Sequence, residues 1–161
     1  MHWCIKVNMA ESIKVWCNEI VNGWSPKSAF LPGSENFVRQ FAEMGGATVY
    51  MNGFEGEHNG AIYKRHDQFD SECDLLLIVK DAKILDLDLK AKRVIYYTND
   101  IFDQSQLTPK RLEKVEKVIA LSNFHKDVFL STTPKVQVVS HGIKVLPNKY
   151  TRKKNLCLYA S

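Results

Sequence analysis

Three short segments of this chain carry the residue types that reactions on phosphorylated or hydroxylated ligands need. Pro32-Gly33-Ser34-Glu35 runs into a helical pattern. A glycine lets backbone approach a ligand closely, and N–H groups at a helix start favour anions such as a diphosphate. An ordinary helix start with Ser34 as its N-cap is the plainer reading of the same segment. Asn99-Asp100 follows an apolar run. A carboxylate there can orient a hydroxyl or a neighbouring group, and a cap or turn role reads equally well. Ser122-Asn123-Phe124-His125-Lys126 sets a hydroxyl, an imidazole and an ammonium at another helix start. That trio suits a polar or phosphorylated ligand, or simply a solvated surface.

Other chemically suggestive patterns fall short. The Gly33 loop is not G-x-G-x-x-G and lacks the lysine of a phosphate-binding P-loop. No G-x-S-x-G elbow surrounds Ser122. Asp86-Leu87-Asp88 is a D-x-D pair, but it sits beside basic residues with no long buried strand leading into it. The 4 cysteines form no C-x-x-C and the 5 histidines no H-x-x-x-H, so no metal site is expected. Reduced cysteines in a cytoplasmic protein are the expectation.

The elements that must position these residues are legible from apolar periodicity. Nearly continuous apolar, β-branched runs occur at Ile13–Cys17, Ala47–Met51, Leu75–Val79, Val94–Tyr97, Val118–Leu121 and Val136–Val139. Continuity rather than alternation suits strands buried on both faces of a parallel sheet. Phe37, Val38, Phe41 and Ala42 make one face of a helix from Ser34 to Met44, stopped by Gly45-Gly46. Thr108-Pro109 starts a second helix, and Ser122 caps a third. The alternation predicts an α/β, Rossmann-like, doubly wound and mainly parallel sheet with helices on both faces. Ligands of such sheets bind beyond the carboxyl ends of the strands. The loci to inspect are therefore the loop from Asn18 to Glu35, Asn52-Gly53, Lys80-Asp81, Thr98–Asp100, Ser122 and Ser140–Gly142.

Composition agrees with a soluble globular domain: 45% hydrophobic, 25% charged, 11% aromatic. A collagen-like, disordered or membrane-spanning chain is excluded on those grounds. Charge is unevenly spread, with 7 basic and 11 acidic residues before Ala82 and 15 basic and 7 acidic from there on. A basic half can attract phosphates or an anionic membrane surface, but nothing else in the sequence supports membrane association. No nucleic-acid-binding motif accompanies the charge. No secretory leader is expected from the N-terminal residues.

Taken in order, these segments resemble the N-terminal domain of a GT-B glycosyltransferase of the retaining, glycogen-synthase-like superfamily (family four). Trp24-Ser25-Pro26 and Gly33-Ser34-Glu35 resemble its W-S-P and G-G-S-E segment, and Thr48-Val49-Tyr50 its V-T-V-Y strand. Asn59-Gly60-Ala61-Ile62-Tyr63 resembles its D-G-V-x-Y, and Asp74–Val79 its D-V-L-I-V. Leu121–Lys126 matches its L-S-x-x-H-K, Val138–Ile143 resembles V-I-S-N-G-I, and Leu158–Ser161 resembles the I-Y-A-S that opens the second domain. The chain departs from the pattern at Pro32, where the family has glycine, at Asn99, where it has histidine, and at His141, where it has asparagine.

The resemblance implies transfer of a sugar from a nucleotide-sugar donor to a glycan or other acceptor, with retained anomeric configuration and without a metal or cofactor. Residues 1–146 then form the acceptor-side domain, and 147–161 a linker and the start of a donor-binding domain. A half of this kind is expected to be inactive alone. By the same resemblance Asn99 and Asp100 are the catalytic candidates. Gly33, Ser34, Glu35, Ser122, His125, Lys126 and Gly142 are those that bind donor or acceptor. The rival expectation is a non-catalytic Rossmann-like binding module.

Overall fold

The structure is a computed structural model that describes residues 12–17, 23–98 and 105–139. Asn99, Asp100 and Gly142, with residues 147–161, lie outside the described residues, as do the segments Val138–Ile143 beyond Val139 and Leu158–Ser161.

Each of the six apolar runs forms a strand: β1 Ile13–Cys17, β2 Thr48–Met51, β5 Leu75–Val79, β6 Arg93–Tyr97, β7 Lys117–Ala120 and β8 Val136–Val138. Two further strands, β3 Gly56–His58 and β4 Ala61–Arg65, complete an eight-stranded sheet of order β3-β4-β2-β1-β5-β6-β7-β8. All neighbours pair in parallel except β3 with β4. The unforeseen hairpin turns on Asn59 (φ 48) and Gly60 (φ 80). Two successive positive φ values make the primed turn that asparagine-glycine favours, so the dipeptide itself was the missed signal.

The sheet separates two cores, which is why the strands read as continuous apolar runs. In β5, Leu76 and Ile78 join one core, while Leu75, Leu77 and Val79 join the other. Helix α1 (Gly33–Gly45) supplies Val38 and Ala42 to the second core. Helices α2 (Pro109–Glu113) and α3 (Asn123–Leu130) supply Leu112 and Phe129 to the first. The chain is thus a Rossmann-like α/β sheet with helices on both faces. Among the described residues no helix is long and apolar enough to cross a membrane.

The helix punctuation follows the sequence with one correction. Gly46 takes the left-handed conformation (φ 61) and stops α1. The Thr108 side chain accepts from Arg111 N, and Ser122 accepts from His125 N, as N-caps should. Ser34, expected as the N-cap of α1, lies inside the helix instead. The Pro32 carbonyl accepts from Asn36 N at 2.9 Å and closes the first turn two residues early. Pro32 is therefore the N-cap, with no side-chain cap at all.

Strand order reverses between β1 and β5. From β1 the chain winds outward through β2 and β4; it then returns to β5 at the other side of β1 and winds outward again to β8. The carboxyl ends of β1 and β5 form the switch point, where doubly wound sheets open a crevice.

Candidate functional site

Three elements converge on the switch point. Cys17 ends β1 and is buried, and Glu35 in the first turn of α1 and Lys80 after β5 both act on its thiol electrostatically. Burial, with the Glu35 carboxylate adding and the Lys80 ammonium opposing, pushes that thiol up to about 12. Cys17 is a protonated thiol at neutral pH and no nucleophile. One helical turn further, Phe37 lies flat on Tyr97 at the end of β6, with ring centres 4.1 Å apart and planes within 7°. The start of α1 therefore lies over the ends of β1, β5 and β6.

At this start Pro32 and Gly33 are exposed, and a side chain at Gly33 would meet nothing within 4 Å. With no side-chain cap and open space above it, the positive end of α1 faces outward. Gly33, Ser34 and Glu35 form the first turn of α1.

Lys80 is the residue that sequence reasoning under-weighted. Its backbone is left-handed (φ 66), a conformation that costs a non-glycine residue about 1–2 kcal/mol. Two bonds hold it there: Lys80 N donates to the Tyr97 carbonyl at 3.2 Å, and the Tyr96 hydroxyl donates to the Lys80 carbonyl. The next residue is fixed too. Asp81 is 5% exposed, and its carboxylate accepts from Trp16 Nε1 at 2.9 Å and from Lys83 N at 3.1 Å. Among the described residues the Lys80 ammonium has no carboxylate within ion-pair distance. Its signal in the sequence was its place directly after the most apolar strand.

The α3 group stands on the opposite face of the sheet but along the same edge. Ser122 follows β7, two strands from β5 and so roughly 10 Å away at ordinary strand spacing. Its Oγ is occupied in capping His125 N at 3.1 Å. His125 is buried, edge-on to Phe129 with centres 5.2 Å apart. Its Nδ1 receives the Leu121 N–H at 3.5 Å, and its Nε2 has no partner among the described residues. Lys126 is half-buried, with no ion-pair partner among the described residues.

The D-x-D pair is engaged elsewhere. Arg111 grips both oxygens of Asp86, at 2.9 and 2.6 Å, and holds its carboxyl below the usual carboxylate range. Among the described residues no three His, Cys, Asp or Glu side chains gather to hold a metal. What the edge offers is a helix N-terminus, an ammonium and hydroxyls: groups that can hold an anion and hydrogen-bond a polyol.

No family model matches the chain, and no curated protein does either. Among solved structures it is similar to Anabaena Alr3699/HepE, crystallised in complex with UDP-glucose. The two are 15% identical with a TM-score of 0.56, over 83% of this chain and 44% of that one. The likeness is one of fold, and this chain spans less than half of that protein's length.

Proposed function

We propose that this chain is the acceptor-side half of a retaining, GT-B-type glycosyltransferase of the family-four kind. The observation that supports the reading is that an α1 start without a side-chain cap and Lys80 both lie at the carboxyl ends of β1 and β5, where the sheet order reverses. In the reaction the bond from the donor's anomeric carbon to the diphosphate breaks, and a bond to an acceptor oxygen forms as that oxygen loses its proton. Charge then accumulates on the leaving diphosphate. The α1 N-terminus at Gly33 and Ser34, with the Lys80 ammonium, supplies compensating positive charge at fixed positions, without a metal. In this reading Asn99 and Asp100 act on the sugar or orient the acceptor hydroxyl, Ser122, His125 and Lys126 face the interdomain cleft, and Gly142 serves donor or acceptor binding. Most of the nucleotide is held by a second domain. The half alone binds UDP-glucose weakly and turns nothing over.

The test is a titration of the isotope-labelled chain with UDP-glucose, read by amide resonance shifts. Saturable movement centred on Gly33, Ser34 and Lys80 is expected, with affinity weaker than about 1 μM. Movement elsewhere only, or none, would sink the reading. One observation favours a non-catalytic module of the same fold: asparagine at position 99 where the resembling family has histidine. Joining the chain to a donor-binding domain and finding binding without turnover would favour that module.

A further inference from the structure

A recess of about 420 Å³ opens on the same edge of the sheet, beside the switch point and away from β6 and β7, lined by Gly23, Trp24, Ser25, Ser28, Gly53 and Phe54. Its size falls within the roughly 300–1,000 Å³ of small-ligand sites. We infer that it is a subsite for one pyranose ring of the acceptor glycan; this deepens the glycosyltransferase reading and rests on it.

The recess is built, not incidental. Gly53 follows β2 in a left-handed conformation (φ 115), and a Cβ there would lie 2.7 Å from the Trp24 carbonyl oxygen and 2.8 Å from its nitrogen. Only glycine allows this approach, and it lets Trp24 N donate to the Asn52 carbonyl at 3.3 Å. The Trp24–Ser28 loop is anchored from the other side by Arg39 of α1, which donates to the carbonyls of Pro26 and Ser28. Two loops from different strands are thereby locked around the opening.

Its chemistry is amphipathic in the way a sugar ring is. Phe54, half-buried, packs on Tyr63 at 5.6 Å between centres and presents apolar surface for the ring's C–H face, while Trp24, only 9% exposed, packs on Tyr63 at 6.1 Å and backs it. Around them stand donors. The Ser25 hydroxyl oxygen accepts from Lys27 N, which leaves its hydrogen to give. Ser28 Oγ has no partner among the described residues, and the Lys27 ammonium sits 5.0 Å from the Phe54 ring centre. A ring hydroxyl supplies acceptors to such a set, and an aliphatic or purely anionic ligand matches only part of it.

A pyranose can come from the acceptor or from the donor, so the experiment uses both. The labelled 161-residue chain is titrated separately with maltose, cellobiose, N,N′-diacetylchitobiose and UDP-glucose. The indole N–H resonance of Trp24 is the readout, assigned by its loss in Trp24→Phe. At least one disaccharide should move it saturably, and Phe54→Leu, which keeps apolar volume but removes the flat ring, should weaken that binding about tenfold or more. Phe54→Ala should do the same if its spectrum remains dispersed. UDP-glucose should move the Gly33–Lys80 group equally in Phe54→Leu and in the unaltered chain. No movement of Trp24 with any disaccharide, or undiminished binding by Phe54→Leu, overturns the subsite. Movement with UDP-glucose alone overturns its assignment to the acceptor. Disaccharide binding with no response to UDP-glucose keeps the subsite and removes the donor reading.

Discussion

At the amino ends of the strands, charges are paired off. Lys14 meets Asp70 at 2.7 Å, Lys92 meets Asp74 at 2.7 Å, and Arg93 forks onto both oxygens of Glu116 at 2.8 and 3.1 Å. At the carboxyl ends, Lys80 and Lys126 have no such partner among the described residues, one non-glycine backbone is left-handed, and a helix start is left without a side-chain cap. Around the central strands β1, β5 and β6 the sheet thus has a closed end and a receptive end, whereas at the carboxyl end of β4 Arg65 is paired with Asp67 at 2.7 Å. Order at the receptive end comes from backbone contacts and buried hydrogen bonds, which leaves its cations available to a ligand. In doubly wound sheets ligands bind at the carboxyl ends, and the charge pairing agrees with that rule independently of any resemblance.

Substitutions should separate the two ends. The largest loss is expected from Gly53→Ala, because the new methyl collides with Trp24 backbone in a conformation alanine resists. A cost of about 2–4 kcal/mol in urea unfolding is expected, and a cost under about 1 kcal/mol would show that the two loops are not locked. Next comes Asp81→Ala, which orphans the buried Trp16 indole N–H. A loss of about 1–3 kcal/mol should appear in the same assay, with Trp16 fluorescence altered.

The closed end should respond to acid. Hydrogen bonds from Lys14, Lys92 and Arg93 hold the carboxyls of Asp70, Asp74 and Glu116 below their usual range. A lowered carboxylate contributes stability that is present above its unfolded value, about 4, and lost as pH falls through the folded one. Melting temperature should therefore hold from pH 7 to about 4 on account of these groups and fall below that. Asp74→Asn should flatten the fall, and high salt should shrink it because the pairs are exposed. Arg93→Ala should cost within about 1 kcal/mol. An acid response unchanged by Asp74→Asn would break the contrast.

The smallest effect on stability belongs to Lys80→Gly. Relief of left-handed strain offsets the added freedom of the unfolded chain, so stability should stay within about 1 kcal/mol. UDP-glucose binding should nevertheless weaken about fivefold or more, which reads as the loss of an ammonium rather than of the fold. A stability loss well beyond about 1 kcal/mol with ligand affinity of the folded fraction unchanged would assign Lys80 to structure.

What the sequence by itself determined is what near neighbours determine. Six strands are written in apolar runs such as Leu75–Val79, because a strand buried on both faces needs no polar alternation. The stops and caps at Gly46, Thr108 and Ser122 are written in residue type, because each acts within one helical turn. The Asn59-Gly60 hairpin was written as well and was overlooked. Tertiary structure decided which of those pieces meet. Glu35, Cys17 and Lys80 come from three separate elements and converge only through the parallel register of β1 with β5. Ser34 lost its capping role to the Pro32 carbonyl, a competition between residues two apart that composition does not rank. Gly53 reads as an ordinary loop glycine until β2 sets it against Trp24. Local periodicity selects elements because its energies act over a few residues, whereas the site depends on contacts dozens of residues apart that exist only after the sheet has closed.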